Sequence, residues 1–106
     1  MTPHTITITL VNQECNLSGN EKLTVQATHT VRWNASNSDP CLLFESENQW
    51  PFTEGYVKNP PFDQAGDMTI RYHVRADKGH YYYHYDCKGD CSSYVAAAAG
   101  ARIIID

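Results

Sequence analysis

The stretch from Gly79 to Cys91, GHYYYHYDCKGDC, limits what this chain can fold into more than any other part of it. Tyr81, Tyr83, Tyr85 and Cys87 stand on alternate positions. A β-strand sends alternate side chains to one face. Three aromatic rings therefore lead down one face to a sulfur, and core packing is the role this pattern predicts for them. Tyr82, His84 and Asp86 fall on the other face, as its outer decoration. Lys88-Gly89-Asp90 carries the glycine of a tight turn, so the strand stops there and Cys91 lies just beyond. Two cysteines thus sit at the mouth of a strand, where loops commonly carry function.

The rest of the chain is punctuated in the same β manner. Ile6, Ile8 and Leu10 alternate with Thr5, Thr7 and Thr9, which predicts a half-buried strand of β-branched residues. Asn12 to Asn20 is polar and contains Gly19, which predicts a connection. Leu23, Val25 and Ala27 predict a second strand. Val31 and Trp33 continue the pattern after a turn near Thr28-His29. Asn34 to Pro40, NASNSDP, reads as loop. Cys41-Leu42-Leu43-Phe44 reads as a short apolar strand.

Glu45 to Gly66 is irregular, because Pro51, Pro60 and Pro61 break any ladder. Its Trp50, Phe52, Tyr56 and Phe62 need partners, so the segment is expected to lie over the core. Met68, Ile70, Tyr72 and Val74 predict another strand, and Arg102 to Ile105 a closing one. Ala96 to Ala99 is compatible with one helical turn. There is no repeat and no sustained helical periodicity. About seven short strands with turn signals between them predict an all-β sandwich in a single domain over residues 1–106. A two-sheet core would accommodate Trp33, Tyr83 and Ile104.

Charge and hydropathy exclude some roles. A net charge of −4 without a basic cluster argues against nucleic acid. No apolar run approaches the roughly 18 residues of a membrane span. Met1-Thr2-Pro3-His4 lacks the charged start and apolar centre of a signal peptide, so export is expected only of a mature domain. Cysteines occur at 15, 41, 87 and 91. In an exported domain they predict two disulfides with three possible pairings; in a reducing compartment they would hold a metal. Asn16-Leu17-Ser18 and Asn34-Ala35-Ser36 are glycosylation sequons, meaningful only on a eukaryotic secretory route.

The order of these segments resembles a cupredoxin, the blue-copper protein family. Leu23 to Ala27, Thr30 to Asn34, a polar loop and then Cys41 to Phe44 look like its first half. Gly79 to Cys87 looks like its Gly-x-Tyr-x-Tyr-x-Cys strand, with a ligand loop from Lys88 to Ala99, Gly100, and Ile103 to Ile105 after it. The resemblance covers most of the chain outside Glu45 to Gly66. It implies a Greek-key β-sandwich with a metal site at one end.

A blue-copper site takes two His, one Cys and a weak axial Met. Carried over residue by residue, the resemblance keeps only Cys87. Cys41 stands where the first His belongs, Asp90 or Cys91 near the second, and Ala98 at the Met. His84, three residues before Cys87, faces away from it. His73 and His80 have no ligand spacing, His4 and His29 sit at predicted termini or turns, and all four are read as surface or hydrogen-bonded groups. The resemblance therefore implies a cupredoxin-like domain without its copper and without a cofactor.

The same resemblance gathers all four sulfurs at one end. It implies Cys41–Cys87, at two former ligand positions, as the preferred disulfide, leaving Cys15–Cys91. The alternative is a copper or zinc site on Cys41, Cys87 and Cys91, as in a copper carrier or electron-transfer module. Four thiolates suit tetrahedral zinc, although a second short Cys pair is missing.

No catalytic constellation is present. Glu54, Asp63 and Asp67 show no spacing for paired acid–base work and read as a solvated face. Trp50, Phe52, Tyr56 and Phe62 are the ligand-binding candidates, for an unknown small ligand or a partner protein. The expectation is a non-catalytic, secreted or periplasmic binding or structural domain stapled by disulfides.

Overall fold

A computed structural model of the chain describes residues 2–18, 22–36, 38–62, 70–89, 91 and 99–106. Eight strands are found among them: β1 Pro3–Val11, β2 Glu14–Ser18, β3 Lys22–Val25, β4 Thr30–Ser36, β5 Cys41–Leu43, β6 Ile70–His73, β7 Gly79–Asp86 and β8 Ala99–Ile105. They form two four-stranded sheets, ordered β2-β1-β4-β6 and β3-β8-β7-β5. The fold is all-β, and the sheets make a Greek-key sandwich. Every connection from β2–β3 through β6–β7 passes from one sheet to the other. Two pairings are parallel, β1 with β4 and β3 with β8.

The alternation in β1 turns Ile6 and Ile8 inward, beside Trp33 and Ala35 of β4 in the parallel register. From the opposite sheet β7 contributes Tyr81, Tyr83 and Tyr85, while Tyr82 stays exposed. Trp33 is fully buried at the centre. Its ring meets Tyr83 edge-on at 5.5 Å between centroids, and its indole N–H donates to the Tyr83 hydroxyl at 3.4 Å. A large aromatic buried among aromatics gains about 0.5–1.5 kcal/mol per pair beyond the area it removes from water.

One missed strand changes the count. The region expected to be a connection, from Asn12, holds a two-residue turn followed by β2. Asn12 and Gln13 both have positive φ, 50° and 67°, as the tight hairpin that matches strand twist requires. Val11 then faces Glu14, and Leu10 faces Cys15. Polar Glu14, Asn16 and Ser18 hid the alternation of Cys15 and Leu17.

A second correction concerns β8. Ala101, Ile103 and Ile105 point inward, and Ile104 is only partly buried on the outer face. A run of isoleucines carries no polar marker of its inward parity. Pairing with β7, which sets Ile103 against Tyr81, supplies it. Of the expected helical turn, Ala96 to Ala98 lies outside the described residues, and Ala99 begins β8. Asp63 and Asp67 also lie outside them.

Residues 45–62 of the irregular segment lie on the core, as their aromatics demand, and residues 63–66 are outside the described residues. Phe44 leaves β5 and donates its N–H to the Lys58 carbonyl at 2.8 Å. A single 3-10 turn, Glu47–Gln49, leads to Trp50. Trp50, Phe52 and Phe62 are 2, 3 and 7 % exposed, and Tyr56 packs against the same cluster. Phe52 forms a β-bridge to Val74, and Thr53 N–H donates to the His73 carbonyl, so the segment covers the outer edge of β6. No helix among the described residues is long and apolar enough to cross a membrane.

Candidate functional site

All four cysteines lie at one end of the sandwich, joined in two disulfides. The pairs are Cys15–Cys87 and Cys41–Cys91, with Cα separations of 5.6 and 5.7 Å. The expected pairs, Cys41–Cys87 and Cys15–Cys91, are therefore corrected. The reason is the parity of β7. Cys41 stands opposite Asp86 in the antiparallel register, and Leu42 stands opposite Tyr85. Facing residues in such a pair share a face, so Leu42 goes with Tyr85 into the core and Cys41 goes with Asp86 to the outside. Cys87 continues the inward series of Tyr81, Tyr83 and Tyr85. Cys41 and Cys87 are neighbours in the sheet with side chains on opposite faces.

Each sulfur then meets the partner on its own side. Cys15 shares the inner face of β2 with Leu17 and reaches across to Cys87, which is 2 % exposed. This bond joins the two sheets. Facing sheets ordinarily stand about 10 Å apart, so a Cα separation of 5.6 Å marks the end where the sandwich converges. Cys41 bonds Cys91 on the outer face, where Leu43 completes a small separate cluster.

The turn beside these bonds is equally tight. Asp39 N–H donates to the Cys87 carbonyl at 3.0 Å, and Gly89 N–H to the Asp39 carbonyl at 2.9 Å. Gly89 has φ +81°, and a Cβ there would collide with the Asp39 carboxylate. The positive φ therefore favours glycine at this position.

The donor set does not suit blue copper while the bonds are intact. A metal binds a thiolate, and the sulfurs of Cys41, Cys87 and Cys91 are all engaged; the chain has no free cysteine. No group of three or more His, Cys, Asp or Glu gathers for a metal among the described residues. His84, nearest in sequence, is on the outer face and lies 3.6 Å from the Glu45 carboxylate. Asp90 and Ala98 lie outside the described residues.

The remaining candidates separate from this end. Trp50, Phe52, Tyr56 and Phe62 form the packed wall of the core rather than a lining open to a ligand. Trp50 stacks edge-on against Phe44, Phe52 and Tyr72 at 4.9 to 5.1 Å, and donates its indole N–H to the Glu54 carbonyl at 2.6 Å. The Tyr56 hydroxyl donates to the Phe44 carbonyl, and burial, aided by Glu45 and Glu47, raises its pKa.

Glu54, expected to be merely solvated, has a definite partner. Its carboxylate accepts the His73 N–H at 2.9 Å and touches His73 Nδ1 at 2.7 Å. Burial alone would raise its pKa, but the hydrogen bonds from His73 outweigh that and leave it below the usual carboxylate value.

On the outer face of β7 and β8, Tyr82 is 50 % exposed. Arg102 lies over its ring at 5.7 Å and donates to its hydroxyl at 3.2 Å. Arg102 also contacts His80, and the Gln49 side chain accepts the Tyr82 N–H. Sequence reasoning placed Tyr82 on this face but found no signal for Arg102, because their pairing depends on the β7–β8 register. It also missed the approach of His4 to His29, 25 residues apart, at the opposite end of the sandwich from the disulfides.

No family model matches the chain, and no curated protein does. Solved structures do. The Cu(I) form of an amicyanin mutant superposes with a TM-score of 0.55 at 16% identity, covering 96% of this chain and 82% of that one. A reduced Cu(I) form of another amicyanin mutant, at pH 4, gives 0.56 at 14% identity with the same coverage. A purple cupredoxin from Nitrosopumilus maritimus gives 0.53 at 16% identity, covering 97% and 99%. The chain is a cupredoxin-like domain in its fold.

Proposed function

We propose that this chain is an exported, non-catalytic cupredoxin-like domain in which two disulfides stand where relatives of this fold hold copper, and that its role is binding or structural. The observation carrying this reading is the bond from Cys87 to Cys15. Cys87 alone matches a copper ligand of the family, and its sulfur is committed elsewhere. Cys41, in the place of the first histidine, faces the other side of the sheet. Two disulfides in a chain of this size favour an oxidising compartment, secreted or periplasmic. The surface best suited to a partner protein or small ligand is the outer face of β7 and β8. There an exposed tyrosine, an arginine and a histidine offer a flat aromatic contact with charge-assisted hydrogen bonds.

A second reading, a metal carrier using reduced Cys41, Cys87 and Cys91, draws support from the likeness to Cu(I) amicyanin. Intact mass before and after reduction, with elemental analysis, separates the two. The proposed role expects a mass increase of four hydrogens on reduction, for two disulfides, and no metal held by sulfur. It also expects no intense thiolate–Cu(II) absorption when Cu(II) is added to the reduced protein. Strong blue colour that vanishes in Cys87→Ser would favour the carrier instead.

A further inference from the structure

The end of the sandwich opposite the disulfides brings two imidazoles together. His4 Nε2 lies 3.0 Å from His29 Nδ1, and the rings are tilted by 31° with centroids 5.1 Å apart. Both rings are partly buried, and both backbones are pinned. Strand β1 holds His4 in parallel register against Val31, and Thr30 N–H donates to the Thr2 carbonyl. His29 N–H donates to the Gln26 carbonyl, and the His29 carbonyl accepts the Val74 N–H. The preceding Thr28 has φ +73°, a conformation a β-branched residue adopts only when its surroundings impose it.

The hydrogen bonds determine where the lone pairs point. The Gln26 N–H donates to His29 Nδ1 at 3.3 Å. Nδ1 of His29 is therefore an acceptor, and the proton between the two rings belongs to His4 Nε2.

We propose that His4 Nε2 and His29 Nδ1 form a chelating site for one divalent late transition-metal ion, with water completing the coordination. Neutral imidazole suits copper, nickel and zinc, and copper(II) binds tightest in the divalent series. Imidazole nitrogens stand about 2.0–2.1 Å from such an ion. Two of them at roughly 90–110° around it are about 2.9–3.4 Å apart, and 3.0 Å falls in that interval. The ion takes the place of the proton on His4 Nε2 and of the Gln26 N–H at His29 Nδ1, whose one lone pair it needs, and the Gln26 N–H turns to water. The Nε2 proton moves to His4 Nδ1, so binding to the neutral pair releases none. A protonated imidazole must first lose its proton, so affinity falls as pH is lowered.

No third His, Cys, Asp or Glu completes the group among the described residues, so the site is open on its water side. It uses no cysteine and is independent of the function proposed for the disulfide end.

The test is a calorimetric titration of the oxidised, full-length protein with Cu(II), alongside electron paramagnetic resonance. The expected result is one ion per chain, nitrogen ligation without a thiolate band, and a rise in melting temperature with added Cu(II). His4→Gln and His29→Gln should each weaken binding about tenfold or more and abolish the melting shift. His73→Gln should behave as the wild type. No binding by the wild type, or wild-type affinity in either His variant, overturns the site. Should a variant fail to fold, paramagnetic broadening in the wild-type NMR spectrum decides. Broadening centred on residues 4 and 29 supports the site, and broadening centred elsewhere overturns it.

Discussion

The two ends of the Cys87 strand are held together by different physics. Toward Tyr83 the sheets stand apart, and the gap is filled by Trp33, Phe44, Trp50, Phe52 and Tyr72 in mutual ring contact. Toward Cys87 the sheets converge until one disulfide spans them. The rings act in the folded state, through burial and shape. A disulfide acts largely on the unfolded chain, by removing loop entropy from it. A small sandwich with a single modest core thus has a wide half stabilised by packing and a narrow half stabilised by covalent closure.

The comparison breaks most visibly if the wide half is opened. Trp50→Ala should cost about 3–5 kcal/mol, as other buried large aromatics do, read from chemical denaturation with both disulfides intact. An almost unchanged melting temperature would mean that the indole is not the wall it is taken for. It would return Trp50 to the ligand candidates.

Removing a disulfide comes next. Cys15→Ala with Cys87→Ala, and Cys41→Ala with Cys91→Ala, should each cost about 2–4 kcal/mol. The bonded cysteines are 72 and 50 residues apart in sequence. Chain entropy alone separates the two costs by only about 0.3 kcal/mol. A larger deficit in the first pair, whose Cys87 belongs to the main core, would measure the packing that the inter-sheet bond adds. Peptide mapping of the wild type should recover Cys15 joined to Cys87; recovery of Cys41 joined to Cys87 would refute the parity argument.

A smaller effect is expected at the turn of the narrow half. Gly89→Ala combines a positive φ with a clash against Asp39 and should cost about 1–2 kcal/mol. Gly55, with open space around its Cα, is the matched control and should tolerate alanine within about 0.5 kcal/mol.

The smallest effect is the pH dependence, and it belongs to neither half's main device. His4 has its pKa lowered in the fold, chiefly by burial. The unfolded chain then binds the extra proton more readily, so stability is full above the ordinary imidazole value of about 6.5 and declines as pH falls below it. Glu54 is also lowered, by the His73 hydrogen bonds that outweigh burial. Its contribution is present above the usual carboxylate value and is lost as pH falls below that. The pair is substantially exposed, so solvent screening keeps the Glu54 step under about 1 kcal/mol. Glu54→Gln should flatten the acid limb of a stability–pH curve and leave the imidazole limb. A curve that steepens instead would reverse the sign argued here.

Much of this fold was written in local pattern. The alternation of Ile6 and Ile8, of Val31 and Trp33, and of Tyr81, Tyr83 and Tyr85 determined strands and their inward faces, because a strand's two-residue period leaves each side chain one choice of face. The proline-broken aromatic segment announced that it must cover something, since exposed tryptophan and phenylalanine are costly. The gathering of the four cysteines at one end was implied by the resemblance to the cupredoxin fold, and the two disulfides agree with it.

Pairing was another matter. Whether Cys41 meets Cys87 or turns its back on it depends on a one-residue register between β5 and β7, and a slip of one residue exchanges the two faces of a strand. The same register logic sends Ile103 inward and Ile104 outward, sets Arg102 over Tyr82, and brings His4 to His29 across a parallel pairing. Local sequence determines which residues alternate. Only the assembled sheets decide which residues of distant strands stand opposite one another, because hydrogen bonding between backbones is indifferent to the side chains it aligns. Register is settled by the whole core at once.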